Sequence, residues 1–273
     1  MLHERTLVVG VSQSGETLDT LEALREARRA GARTLVVSNV VHSTMAREAD
    51  GAVYTRAGPE VSVASTKCHV AQIVALEVLA LALAQWRGTM GRDALASALD
   101  AMHRLPRALV EALGRVKEVE DVADVLVGAR DFFFLGRNLG YPVALEGALK
   151  LKELSYLHAE GYPAGELKHG PIALIEPGTV VVGIATRNPL WEKFQSNVQE
   201  VRSRGATVVL VANDGDEAAA ALADHVLWVP ESDPLLAPVL DIVPLQLFAY
   251  RLARLRNLDV DRPRNLAKTV TVE

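Results

Sequence analysis

Apolar and polar positions follow two periods along this chain, and the switch from one to the other marks its elements. Thr6-Leu7-Val8-Val9-Gly10-Val11 is a short β-branched run, the pattern of a buried strand. It stops at Ser12-Gln13-Ser14-Gly15-Glu16-Thr17, where a helical spacing begins. The run recurs 173 residues on as Thr179-Val180-Val181-Val182-Gly183-Ile184. The correspondence persists through Gly31-Ala32 with Gly205-Ala206, Val37-Ser38-Asn39 with Val211-Ala212-Asn213, and Ala49-Asp50 with Ala223-Asp224. Each copy predicts strand, helix, strand, short helix, strand and long helix. That alternation builds a parallel sheet covered on both faces, so the expected fold is α/β, with two doubly wound three-layer halves.

The second copy has a preamble in which Asp131 to Asn138 reads as a strand ending at a glycine turn and Ala144 to Leu157 as a helix. The first copy shows no counterpart. The expected first domain therefore lacks its initial strand and helix, the chain begins inside a domain, and residues 6–11 form the second strand of their sheet. A parallel sheet of that kind leaves an unpaired edge and apolar surface exposed. The expected organisation is a partial first domain over residues 1–90, a helical spacer over 91–125, a second domain over 126–260 and a tail over 261–273. Within the spacer, apolar positions recur at helical spacing from Leu95 to Leu113 around Pro106. Val70 to Gln85 falls short of the ~20 residues of a membrane span and is expected as a buried helix. Ala159 to Pro171 is rich in glycine and proline and is expected as a loop.

Composition narrows the class of protein. With 273 residues, 49% of them apolar, and a net charge of −5, the chain has the makeup of globular material without the basic excess of a nucleic-acid partner. One cysteine, Cys68, excludes an internal disulfide framework, and its place at the start of an apolar helix favours packing over nucleophilic chemistry. Cysteine and histidine spacings for a metal are absent. The start of the chain has no signal-peptide layout, which leaves a reducing cytoplasm as the expected compartment.

Candidate chemistry begins at residues 12–17. Small hydroxyl side chains and a glycine stand where a helix begins, and unpaired N–H groups and the macrodipole favour an anion there. The alternative is that Ser14 or Thr17 merely caps the helix. The second copy has Ala185, Arg187 and Leu190 where the first has Ser12, Ser14 and Thr17. Capping would have served both copies equally, so the asymmetry favours a single phosphate site. Glu146, Lys150 and Glu153 share one face of the helix after the Gly136-Arg137 turn, at the strand end where open α/β sheets bind ligands. A carboxylate there is a candidate proton-transfer base, against the reading of a solvated ion-pair ladder. His169, flanked by Lys168 and Gly170, is either an ordinary surface histidine or an acid–base group. Lys268 stands in a tail whose Pro263 and β-branched residues argue against a helix. A lysine held in a closed site can form a Schiff base.

These segments together resemble one family. Ser-Gln-Ser-Gly-Glu-Thr at 12–17, Val63-Ala64-Ser65-Thr66-Lys67, Ala144 through Glu153, Glu166-Leu167-Lys168-His169-Gly170-Pro171 and Pro263-Arg264-Asn265-Leu266-Ala267-Lys268 are similar, in order, to the isomerase half of the glucosamine-6-phosphate synthases, which contains two sugar isomerase (SIS) domains. The resemblance implies that Ser12, Gln13, Ser14 and Thr17 hold the phosphate of fructose 6-phosphate, with Val63, Ser65 and Ala267 completing the sugar site. It implies that Lys268 forms an imine at C2, that Glu153 moves a proton between C1 and C2 with Lys150 as its partner, and that His169 assists ring opening. In that family the histidine reaches the neighbouring subunit's site, which implies a homodimer. No cofactor or metal is implied, and no membrane or nucleic-acid partner. The product would be glucosamine 6-phosphate, with ammonia taken from glutamine by a glutaminase domain that has no counterpart here; nor has the family's first strand with its Cys-Gly-Thr-Ser turn. Two alternatives remain open: a stand-alone SIS deaminase or isomerase using free ammonia, and a phosphosugar-binding regulatory module without catalysis.

Overall fold

The computed structural model describes residues 2–269. It divides into two compact units, one of Met1–Leu95 with Arg264–Glu273, the other of Ala96–Pro263.

In the first unit, β1 (Leu7–Ser12), α1 (Leu18–Arg29), β2 (Arg33–Ser38), α2 (Thr44–Glu48), β3 (Gly51–Tyr54) and α3 (Lys67–Trp86) follow the predicted alternation. The strands form a parallel sheet in the order β1-β2-β3, with Leu7 opposite Arg33 and Ser12 opposite Ser38. Leu21 and Leu24 of α1 pack with Val36 and Met45, so the apolar stripe of the helix is what seats it on the sheet.

The second unit contains most of α4 (Arg92–Gly114, with Pro106 inside it), then α5 (Val116–Leu126), β4 (Asp131–Gly136), α6 (Gly140–Ser155) and β5 (His158–Pro163). Two 3-10 segments, Ala164–His169 and Pro171–Leu174, lead to β6 (Val180–Ile184), α7 (Trp191–Arg202), β7 (Thr207–Asn213), α8 (Glu217–Ala220), β8 (His225–Val229) and α9 (Ala237–Leu255). The sheet is parallel throughout, in the order β5-β4-β6-β7-β8. The chain steps outward from β4 to β5 and then returns to β6 on the other side of β4, a topological switch point of the doubly wound kind. Both units are thus α/β with parallel sheets and helices, as the pattern predicted.

Three expectations need correction. The glycine- and proline-rich stretch from Ala159 is not wholly a loop: residues 158–163 form the edge strand β5, paired with β4 from Asp131–His158 to Gly136–Pro163. Gly161 is what allows it, since a Cβ there would lie 2.9 Å from the Leu145 Cα of the overlying helix, and Pro163 is tolerated at the strand's end. With two strands preceding β6, the counterpart of β1 is the third strand in chain order of the larger sheet, not the second.

The third correction concerns the helix expected to be buried between Val70 and Gln85. α3 is longer, and only Cys68 and Leu81 of it are buried. By length and composition alone it could cross a membrane, with 11% of its most apolar window buried. Its counterpart α9 buries residues along its whole length because α6 and α5 pack against it. Within the first unit α3 packs on β2, and no described element of that unit plays the part of α6. Likewise Leu7 and Val11 of β1 are exposed, whereas β6 is buried throughout between β4 and β7.

Candidate functional site

The polar turn after β1 is held from three sides. The Asn39 N–H donates to the Gln13 carbonyl at 3.1 Å, the Met45 N–H to the Gly15 carbonyl at 3.1 Å, and the Thr44 N–H to Glu16 Oε1 at 2.8 Å. The Thr44 side chain, and after it this backbone bond, hold the Glu16 carboxyl below its usual range. Inside the turn the Gly15 N–H donates to Ser12 Oγ at 2.9 Å and the Glu16 N–H to Ser14 Oγ at 3.1 Å, while the Ser12 and Thr17 hydroxyls share a bond of 3.3 Å. Gly15 has φ +68°, and a Cβ there would fall 2.1 Å from Ser43 Oγ, so only glycine fits. Thr17 stands at the N-cap of α1 without capping it through its side chain. The Ser12 and Ser14 hydroxyls thus accept from N–H groups of the turn itself and shape it at the helix start, without a side-chain cap on α1.

The equivalent turn in the second unit is filled by its own side chains. Arg187 Nε donates to Asp216 Oδ2 at 2.9 Å, the Arg187 N–H to Asn213 Oδ1 at 3.0 Å, and the Leu190 N–H to Asn188 Oδ1 at 2.9 Å. Asp216 is in turn the cap of α8.

Residues 60–68 supply the rest of the first unit's site. Glu60 was not singled out by the sequence, yet its side chain is only 3% exposed and ties four groups together. Oε1 accepts from the N–H groups of Thr66 (2.8 Å) and Cys68 (3.1 Å) at the start of α3; Oε2 accepts from Ser65 Oγ (2.9 Å) and Lys268 Nζ (3.2 Å). Burial pushes the Glu60 carboxyl up, but these bonds outweigh it and bring it down to about 2. Lys268 also donates to the Ser62 carbonyl at 2.7 Å, so the tail lies on this loop, with Ala267 exposed beside it. Cys68 is fully buried, its thiol pushed up to about 11 by burial and then by Glu60. The structure brings Ser65 and Lys268 together through Glu60; Val63 is half-buried in the same loop. The β-branched residues after Thr269 lie outside the described residues.

In the second unit the structure brings together Glu146, Lys150 and Glu153 on α6. Lys150 is 3% exposed, with Nζ 3.3 Å from Glu146 Oε1 and 2.6 Å from Glu153 Oε2. A solvated ladder is thereby excluded. The shorter contact lacks the angles of a hydrogen bond, and Glu153 Oε2 is a buried oxygen with no donor aligned on it. His169 ends the first 3-10 segment, exposed, ahead of Gly170 at φ +146°. Among the described residues no cluster of histidine, cysteine and carboxylate side chains could hold a metal ion.

The SIS domain family model matches residues 1–82 and 125–256. The chain belongs to the SIS domain family. Its SIS halves are 54% identical over 273 residues to a glutamine–fructose-6-phosphate aminotransferase (isomerizing) of Thermus thermophilus, covering all of this chain and 45% of that protein. The corresponding enzyme of Corynebacterium glutamicum is 48% identical over 277 residues, again covering all of this chain and 44% of the relative. The chain spans less than half the length of these relatives, and the part it matches is their isomerase half. Among solved structures, the C-terminal domain of the Francisella tularensis glucosamine-fructose-6-phosphate aminotransferase superposes with a TM-score of 0.91 at 38% identity, covering 94% of this chain and 72% of that one. A glucosamine-6-phosphate deaminase of Thermotoga maritima superposes with a TM-score of 0.73 at 26% identity, covering 99% and 76%.

Proposed function

We propose that this SIS chain is the sugar-phosphate isomerase region of a glutamine-dependent amino-sugar synthase, turning fructose 6-phosphate and ammonia into glucosamine 6-phosphate. The observation that carries it is the placement of the Lys268 amine on the loop of Ser65. The Ser12–Thr17 turn takes the phosphate, and Val63, Ser65 and Ala267 line the sugar. Lys268 attacks C2 of the open-chain ketose and water leaves, giving an imine. Ammonia displaces the lysine by transimination. Glu153 then takes a proton from C1 and returns it at C2, while the nitrogen gains a proton and the C1 hydroxyl loses one, so the atoms balance as an isomerisation. Lys150 orients that carboxylate, and His169 assists ring opening from a neighbouring copy in a homodimer.

Incubation with fructose 6-phosphate and borohydride tests the imine. A reduced sugar adduct is expected on the peptide containing Lys268 and is expected to vanish in Lys268→Ala. Lack of any adduct on the parent chain would sink the reading. The likeness to the Thermotoga deaminase favours a second reading, use of free ammonia without glutamine; the second predicts that adding a glutaminase domain and glutamine leaves the rate with ammonium salts unchanged, the first that it raises it.

A further inference from the structure

Resting on the imine role proposed for Lys268, we infer that Glu60 is a positioning residue that fixes the Lys268 amine and the Ser65 loop as a single piece. Both oxygens of its carboxylate have at least two partners, the Thr66 hydroxyl being a further one at 3.5 Å from Oε1. The backbone donors Thr66 and Cys68 occupy Oε1 at the positive end of a 20-residue helix, and the side chains of Ser65 and Lys268 occupy Oε2. Only an ionised carboxylate has acceptor sites for all four donors. Glutamine could still accept from the two backbone N–H groups, but it would turn an NH2 toward Lys268, which has donors only, and toward Ser65, whose hydroxyl would have to turn round to accept. Aspartate keeps the charge and is one methylene short. The Ser62 carbonyl takes a further hydrogen of Nζ at 2.7 Å, so two acceptors from one loop fix where the amine sits.

A helix cap alone would not need this arrangement. Capping uses Oε1; the second oxygen lies buried and reaches a residue 208 positions away in sequence. Because Ser65 and Lys268 share that oxygen, the amine and the hydroxyl cannot shift independently, and the nucleophile keeps its distance from whatever the loop holds. Glu60 is not itself required to touch the sugar.

The test compares parent, Glu60→Gln and Glu60→Asp by competitive acetylation with acetic anhydride, reading Lys268 against exposed Lys67 by mass spectrometry. In the native parent Lys268 is expected to acetylate at least threefold more slowly than Lys67. In Glu60→Gln its rate is expected to rise at least fivefold with the Lys67 rate unchanged, and Glu60→Asp, which retains the charge, is expected to lie closer to the parent. Borohydride trapping of fructose 6-phosphate is expected to fall at least tenfold in rate in Glu60→Gln. Native Lys268 labelling as fast as Lys67 would overturn the inference even if the variants failed to fold, and so would unchanged labelling in a folded Glu60→Gln. If labelling responds as expected while the parent traps no sugar, the imine reading falls and the positioning stands.

Discussion

Single residues decide whether the turn after β1 can hold an anion. Gly15 combines φ +68° with contact against Ser43, so Gly15→Ala must distort the turn that Ser12 and Ser14 shape. Strain of about 1–3 kcal/mol is expected from the backbone alone; calorimetric titration with fructose 6-phosphate should show at least tenfold weaker binding, and an unchanged affinity would contradict the cradle. Asp241 of α9 presents a second case. It is buried, accepts from Thr186 Oγ1 at 2.8 Å through Oδ2, and has no partner at Oδ1, and burial pushes its carboxyl up to about 7. A carboxyl raised in the folded state binds its proton more tightly there than in the unfolded chain. Stability from this group is complete below its unfolded value near 4, declines as pH rises toward 7, and is level above that. Asp241→Asn keeps the acceptor for Thr186 and removes the titration. Denaturant unfolding at several pH values should show the variant gaining on the parent between pH 4 and 7, on the order of a few kcal/mol in total; parallel pH profiles would refute the assignment.

Elements were legible in the sequence where local pattern and tertiary context agree. Strands β1 and β6 and the helices after them follow from apolar runs broken by polar turns, and the repeat fixed their order. β5 was not legible, because glycine and proline at 161 and 163 look like loop until one sees that the first admits α6 closely and the second ends the pairing. Gly161→Val therefore tests the strand. The added side chain would displace the Leu145 backbone or β5 itself, at about 1–3 kcal/mol, with hydrogen exchange rising in residues 158–163; unchanged protection would show the edge to be more pliant than its contacts imply. The burial of α3 was misread for another reason: composition gives how apolar a helix is, not how many neighbours it has. At the site, the cradle, Lys150 and Lys268 stood out by residue type, whereas Glu60 reads as an ordinary polar-loop carboxylate until its burial is known.

At the scale of the chain, the units differ in the depth of their cores. Phe133, Leu135, Phe194 and Leu210 belong to an extended cluster in the larger unit, against the compact group of Leu21, Leu24, Val36 and Met45 in the smaller. The smaller unit should open first under denaturant. Cys68, the chain's one cysteine, is buried in it and reports by thiol labelling; Trp191 and Trp228, packed against the larger cluster, report by fluorescence. Thiol exposure is expected at lower urea than the fluorescence change, and coincident transitions would mean a single cooperative block. The two units also show what became of a duplicated turn. In the second, the carboxylate of Asp216 already sits on the guanidinium of Arg187, so that turn carries a resident counter-anion of its own. Of the two related turns, the second is a closed clasp between the ends of its strands, while the first, on the proposed reading, keeps the equivalent place for a ligand.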